Sequence, residues 1–127
     1  MNRLFTNICS TDINKSKKFY MDLFDFRLNF DSDWYVHLVC PQNGALELGI
    51  IDRNYDLVPK HYDGPANGLY LTFIVDDVET VLLRANELGF PILQEPRPTF
   101  YGQHRMLLSD PDGTLIDVSS LLPDNDQ

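Results

Sequence analysis

The sequence has 127 residues and a formal charge of −9. That length suits one domain and removes roughly two-thirds of the unfolded chain's surface from water, enough for a core without staples. The acidic balance excludes a basic footprint on phosphate, so no nucleic-acid partner is expected, since that affinity comes from Lys and Arg releasing counterions. No stretch approaches the length of a bilayer-spanning helix and the first residues lack a basic segment followed by a long apolar one, so the expected location is cytoplasmic, with no membrane partner. Cys9 and Cys40 stand alone in apolar segments, which fits reduced thiols better than a disulfide framework or a metal pair.

In chain order, residues 4–9 read as a strand. A helix follows at Asp12, whose carboxylate can cap free amides, with an apolar stripe of Ile13, Tyr20, Leu23 and Phe24 and with Lys15, Lys17 and Lys18 facing water. Residues 34–40 and 45–51 read as a hairpin around Pro41-Gln42-Asn43-Gly44, where Asn-Gly favours the left-handed dihedrals of a tight turn. Residues 59–68 are polar and rich in Pro and Gly, as a linker is. The pattern then repeats. Residues 69–75 form a strand, and a helix starts at Asp76-Asp77 with Glu79 placed for a capping box and closes at Gly89. A second hairpin, residues 105–109 and 114–119, surrounds Asp110-Pro111-Asp112-Gly113.

The caps Asp12 and Asp77 are 65 residues apart, a shift that places Phe5 on Tyr70. Matching the hairpin glycines Gly44 and Gly113 sets Glu47 nearest Asp117. The chain therefore reads as one domain of two modules, about residues 1–58 and 69–122, joined by linker 59–68. Alternation puts Tyr70, Thr72 and Ile74 on one face of their strand and Leu69, Leu71, Phe73 and Val75 on the other. It likewise sets Ala45, Glu47 and Gly49 opposite Leu46, Leu48 and Ile50, which are expected in the core, and Asp117 opposite Ile116 and Val118.

The segments running from Ser10-Thr11-Asp12 to Phe19-Tyr20, then Leu23 to Phe26, and finally Asp110-Pro111-Asp112-Gly113-Thr114-Leu115-Ile116-Asp117 resemble the vicinal oxygen chelate superfamily, which includes glyoxalase I, extradiol dioxygenases and bleomycin-binding proteins. The resemblance implies an α+β fold of two βαβββ modules forming a half-barrel cleft, and a homodimer. In metal-using members it implies ligands at Phe5, Glu47, Tyr70 and Asp117. Phe5 has no donor atom and Tyr70 would need deprotonation, so no metal and no cofactor is expected, a divalent metal being the alternative.

With the metal set aside, the expected function is a binding protein that sequesters an aromatic or cationic small molecule. Its candidate ligand-binding residues are Phe5, Asn7, Glu47, Tyr70, Thr72, Tyr101, Gln103 and Asp117. Phe5 and Tyr70 read either as stacking walls or as ordinary core. Glu47 and Asp117 read either as converging anionic contacts, one holding a proton or sharing a cation, or as solvated carboxylates. The rival is a metal-dependent lyase, isomerase or dioxygenase acting on a small carbonyl or oxygenated substrate, with His37 or His104 as substitute ligands or Glu47 as general base. A module with an inert cleft is a third reading.

Overall fold

The structure, a computed structural model, describes residues 1–121. The end of the second module as read from sequence, residue 122, lies outside the described residues. Eight strands and two helices are found there, in two compact units: Met1–Ala66 with Pro111–Gly113, and Asn67–Asp110 with Thr114–Leu121. Each unit has a four-stranded mixed sheet and a helix in βαβββ order, so the α+β expectation holds.

The first unit comprises β1 (Thr6–Ser10), α1 (Ile13–Phe24), β2 (Arg27–Asp31), β3 (Tyr35–Cys40) and β4 (Asn43–Asp52). Its strand order is β1-β4-β3-β2, with β1 parallel to β4 and the other pairs antiparallel. Helix α1 starts where Asp12, in extended backbone, accepts from the amides of Asn14 and Lys15 at 3.1 and 3.2 Å. It ends at Asp25, which takes the left-handed conformation. The buried stripe is Ile13, Ser16, Phe19, Tyr20 and Leu23. Phe19 rather than Phe24 completes it, because the helical period brings 16, 19, 20 and 23 onto one side. This stripe covers Val36 and Leu38 of β3 and Leu48 and Ile50 of β4, each stabilising the unit by about 1.5–3 kcal/mol of buried apolar surface.

The first hairpin differs from its sequence reading. The chain reverses at Pro41 and Gln42, and Asn43 and Gly44 already belong to β4, Asn43 pairing with Cys40. A register shift follows between Val39 and Cys40. The extra residues on the β4 side form an irregularity that leaves Leu46 exposed, so the alternation that places Leu48 and Ile50 in the core does not extend back to it.

The second unit comprises β5 (Leu71–Ile74), α2 (Val78–Leu88), β6 (Ile92–Pro98), β7 (Gln103–Ser109) and β8 (Leu115–Leu121), in the sheet order β5-β8-β7-β6. Val78, Val81 and Ala85 of α2 are buried, as are Met106, Leu108, Ile116 and Val118 of the sheet. Asp77 caps α2 by accepting from the Glu79 amide at 3.0 Å, and the side chain that answers it is Thr80, whose hydroxyl donates at 3.1 Å. Glu79 points instead toward His104, 3.7 Å away, so the expected capping box is not formed. The second hairpin turns as read: the Thr114 amide donates to Asp110 Oδ1 at 2.9 Å, and Gly113 supplies the positive φ of 86°. The turn residue Asp112, which packs with the first unit, accepts from the Thr11 amide at 3.0 Å and from the Ser16 hydroxyl. Both cysteines are half-buried free thiols.

Candidate binding site

The face of the first sheet opposite α1 is built by alternation. Residues that point away from the buried Ile8, Val36, Leu38, Leu48 and Ile50 are Asn7 on β1, Glu47 and Gly49 on β4, and Tyr35 and His37 on β3. Phe5, the residue before β1, lies one step along the ladder from the Thr6–Leu48 pair and so beside Glu47. Its ring meets the His37 ring edge-on at 5.4 Å.

Glu47 is the centre of this face. Its side chain is only 6% exposed. The Arg3 Nε donates to both carboxylate oxygens at 2.8 Å, and a terminal guanidinium nitrogen also meets Oε1. His37 Nε2 lies 2.8 Å from Oε1, while Asn29 Nδ2 lies 3.0 Å from His37 Nδ1. Asn29 donates to Nδ1 when its nitrogen takes that position, so the imidazole carries its proton on Nε2 and donates it to Glu47. The Arg3 terminal nitrogen 3.2 Å from His37 Nε2 is then a close approach of two donors and not a hydrogen bond. The Arg3 guanidinium holds the Glu47 carboxyl below the usual carboxylate range, with His37 assisting, against the opposing effect of desolvation. Arg3 also lies over the Phe5 ring, its Cζ 4.7 Å from the centroid.

Beside this cluster, Gly49 leaves the floor open. A Cβ there would stand 2.0 Å from Asn7 Oδ1 and 2.5 Å from the Tyr35 hydroxyl. The missing side chain lets the Tyr35 hydroxyl donate to Asn7 Oδ1 at 3.0 Å across β4. Burial raises the Tyr35 hydroxyl above its usual range.

In the second unit, Asp117 of β8 pairs in register with Thr72 of β5 and accepts from its hydroxyl at 3.0 Å. Ser119 donates to Asp117 Oδ1 at 2.8 Å, and Arg105 Nε of β7 stands 3.2 Å from that oxygen. The Arg105 pair is an electrostatic contact whose angle does not make a hydrogen bond, so its Nε is left without one. Asp117 is thus a buried carboxylate tied to three strands of its own sheet, not a solvated one.

Of the sequence candidates, Phe5, Asn7 and Glu47 share the face of the first unit, and Thr72 and Asp117 are bonded to each other in the second. Tyr70 is exposed ahead of β5. Tyr101 is exposed and stacked edge-on with Phe100 at 5.0 Å. Gln103 is held through its backbone, donating from its amide to Thr99 Oγ1 at 3.0 Å. The ladders also revise one correspondence between the modules: with Asn7 matched to Thr72 by the cap spacing, their β-partners are Gly49 and Asp117, so Asp117 occupies the register position of Gly49 and not that of Glu47. Counting back from Gly44 failed because the first hairpin turns earlier. Sequence reasoning passed over Arg3, Asn29 and Tyr35 as site residues, and considered His37 only as a metal ligand. The alternation that exposed Glu47 would have set Tyr35 and His37 together, whereas Arg3 precedes any strand and gave no periodic signal.

A divalent metal does not fit the donors present. Glu47 carries a guanidinium on its carboxylate, its neighbour His37 adds one nitrogen, and Phe5 adds none. Among the described residues no group of three His, Cys, Asp or Glu side chains is placed to hold a metal ion, where transition metals take three or four protein donors.

Residues 4–118 match the family model described as Glyoxalase/Bleomycin resistance protein/Dioxygenase superfamily. No curated protein is significantly similar to the chain. Among solved structures, a glyoxalase/bleomycin resistance protein/dioxygenase family enzyme from Burkholderia phytofirmans aligns with a TM-score of 0.79 at 22% identity, covering 93% of this chain and 97% of that one. A virulence protein from Salmonella typhimurium gives 0.73 at 22% identity over 96% and 98%. A lactoylglutathione lyase from Agrobacterium tumefaciens gives 0.70 at 21% identity, covering 94% of each. At these identities the likeness is one of fold.

Proposed function

Because the chain belongs to the Glyoxalase/Bleomycin resistance protein/Dioxygenase superfamily, we propose that it is a metal-independent binding protein that sequesters a small, flat, cationic molecule on the Glu47 face of its first unit. The observation that carries this reading is the seating of a cationic group between the Glu47 carboxylate and the Phe5 ring. The Glu47 carboxyl is held below its usual range chiefly by its positive partner, and the ring adds about 0.5–2 kcal/mol to any cation over its face. The net charge of −9 draws cations toward the protein. Asn7 and Tyr35 offer polar contacts beside the cation, and the half-buried free thiols suit a cytoplasmic protein.

The test is calorimetric titration of the purified protein with benzamidine and benzyltrimethylammonium, with benzoate as an anionic comparator, alongside nickel, cobalt, zinc and manganese. Binding of the aromatic cations but not benzoate, weakened in Glu47→Gln while the circular dichroism spectrum is retained, is the expected result. A tightly bound metal at one per chain, or an affinity for the cations unchanged in Glu47→Gln, overturns the reading.

A further inference from the structure

The cation seated on Glu47 belongs to the chain itself. Arg3 precedes β1, and its side chain is 56% exposed whereas the carboxylate it covers is 6% exposed. The ladder that fixes β1 against β4 begins at Thr6. Residues 1–4 are exposed, so Arg3 is placed by its own side-chain contacts: Nε on both Glu47 oxygens at 2.8 Å and Cζ 4.7 Å above Phe5. Glu47, His37, Phe5 and Asn7, by contrast, are positioned by the sheet or directly beside it. The socket is built on or beside the sheet, and its occupant is tethered at the margin of the fold.

The geometry points to Arg3 as a built-in stand-in for the ligand: its guanidinium fills the socket of Glu47 and Phe5 in the free protein and is displaced by the guanidinium or amidinium head of an aromatic ligand. This rests on the binding role proposed above and names the chemical class that the role would serve. In Arg3 the Nε–H reaches both carboxylate oxygens, a terminal nitrogen meets Oε1 and Cζ stands over the Phe5 ring. A planar guanidinium or amidinium head can reproduce these contacts, whereas a quaternary ammonium has no N–H to offer the carboxylate. Glu47 Oε1 accepts from His37 and Oε2 accepts from Arg3 Nε, so a head that displaces Arg3 must bring an N–H to Oε2. Competition from Arg3 reduces the apparent affinity by the fraction of time that the socket is free, and removing Arg3 restores it.

Phenylguanidine and benzyltrimethylammonium are titrated into wild type, Arg3→Ala and Arg3→Ala/Glu47→Gln by calorimetry, with folding checked by circular dichroism and thermal melting. The expected result is that Arg3→Ala binds phenylguanidine about tenfold or more tightly than wild type, a gap that reports the competition. The same ligand should raise the melting temperature of Arg3→Ala in a saturable way and lose its binding in the double variant. Equal binding of the two cations by Arg3→Ala would overturn the guanidinium assignment while leaving a cation-binding role intact. Equal phenylguanidine affinity in wild type and Arg3→Ala would overturn displacement. Failure of folded Arg3→Ala to bind either cation overturns both this inference and the function on which it rests. If Arg3→Ala does not fold, Arg3→Lys takes its place: its ammonium cannot form the fork, so phenylguanidine must again bind more tightly than to wild type, and an unchanged affinity overturns the assignment.

Discussion

The two units are built to one plan, yet each treats its sheet-face carboxylate differently. Asp117 is held from three strands of its own sheet, by Thr72 on β5, Ser119 on β8 and Arg105 on β7. Glu47 is held from within the sheet only by His37, and its cation comes from Arg3, ahead of the first strand. The arginines show the same contrast, with Arg105 24% exposed and Arg3 56% exposed. A carboxylate whose partners all lie on paired strands is part of the sheet's own structure, because the backbone ladder holds those partners in place. One neutralised by a marginal side chain is open to exchange. A carboxylate and arginine pair is therefore read for function by asking what anchors the cation, not by the distance between the charges.

The largest expected effect is at the anchored pair. Asp117→Ala strips the partners from Thr72, Ser119 and the covered guanidinium of Arg105 together, and should destabilise the protein by about 3 kcal/mol in urea unfolding. Arg3→Ala should shift the same midpoint far less. If the two variants lose equal stability, the contrast between anchored and marginal cations is wrong.

Next comes the register position that the two units share. Gly49→Ala forces a methyl into the Asn7–Tyr35 contact and should cost about 2 kcal/mol, since the sheet backbone cannot yield and the side chains must. Adding Asn7→Ala should recover most of that loss, because the nearer clash is with a side-chain oxygen. If the double variant is no more stable than Gly49→Ala, then the backbone and not the Asn7 bridge sets the limit.

The helix starts allow a smaller comparison. Asp12 caps two amides and Asp77 one, so Asp12→Ala should cost about 1 kcal/mol and Asp77→Ala somewhat less, read from thermal unfolding. The smallest effect is pH-dependent. Because Arg3 lowers the Glu47 pKa in the folded state below its unfolded value of 4.5, the pair's contribution is fully present above that value and is lost as pH falls through the folded pKa. The stability gap between wild type and Arg3→Ala should accordingly be constant from pH 7 to about pH 5 and close on further acidification. A gap that persists at low pH would mean that Arg3 acts through packing on Phe5 rather than through charge.

Much of this protein was written in the order of its residues. The carboxylate caps at Asp12 and Asp77, the helical stripes behind them and the Asp110-Pro111-Asp112-Gly113 turn are local signals with local physical causes, and they define two βαβββ modules and the α+β class. Strand alternation also put Glu47 on the face opposite Leu48 and Ile50, and Tyr70 and Thr72 on the exposed side of their strand. Tertiary structure decided what alternation cannot express. An early turn at Pro41–Gln42 and the register shift that follows left Leu46 exposed and set Gly49, where counting along the chain had set Glu47, at the position that Asp117 holds opposite Thr72 in the second unit. It also brought Arg3, His37 and Glu47 together from positions up to 44 residues apart. Side chains that meet across a sheet are selected by register and strand order, which depend on where every turn falls, and an arginine outside any repeating pattern carries no trace in the sequence of the carboxylate it will cover.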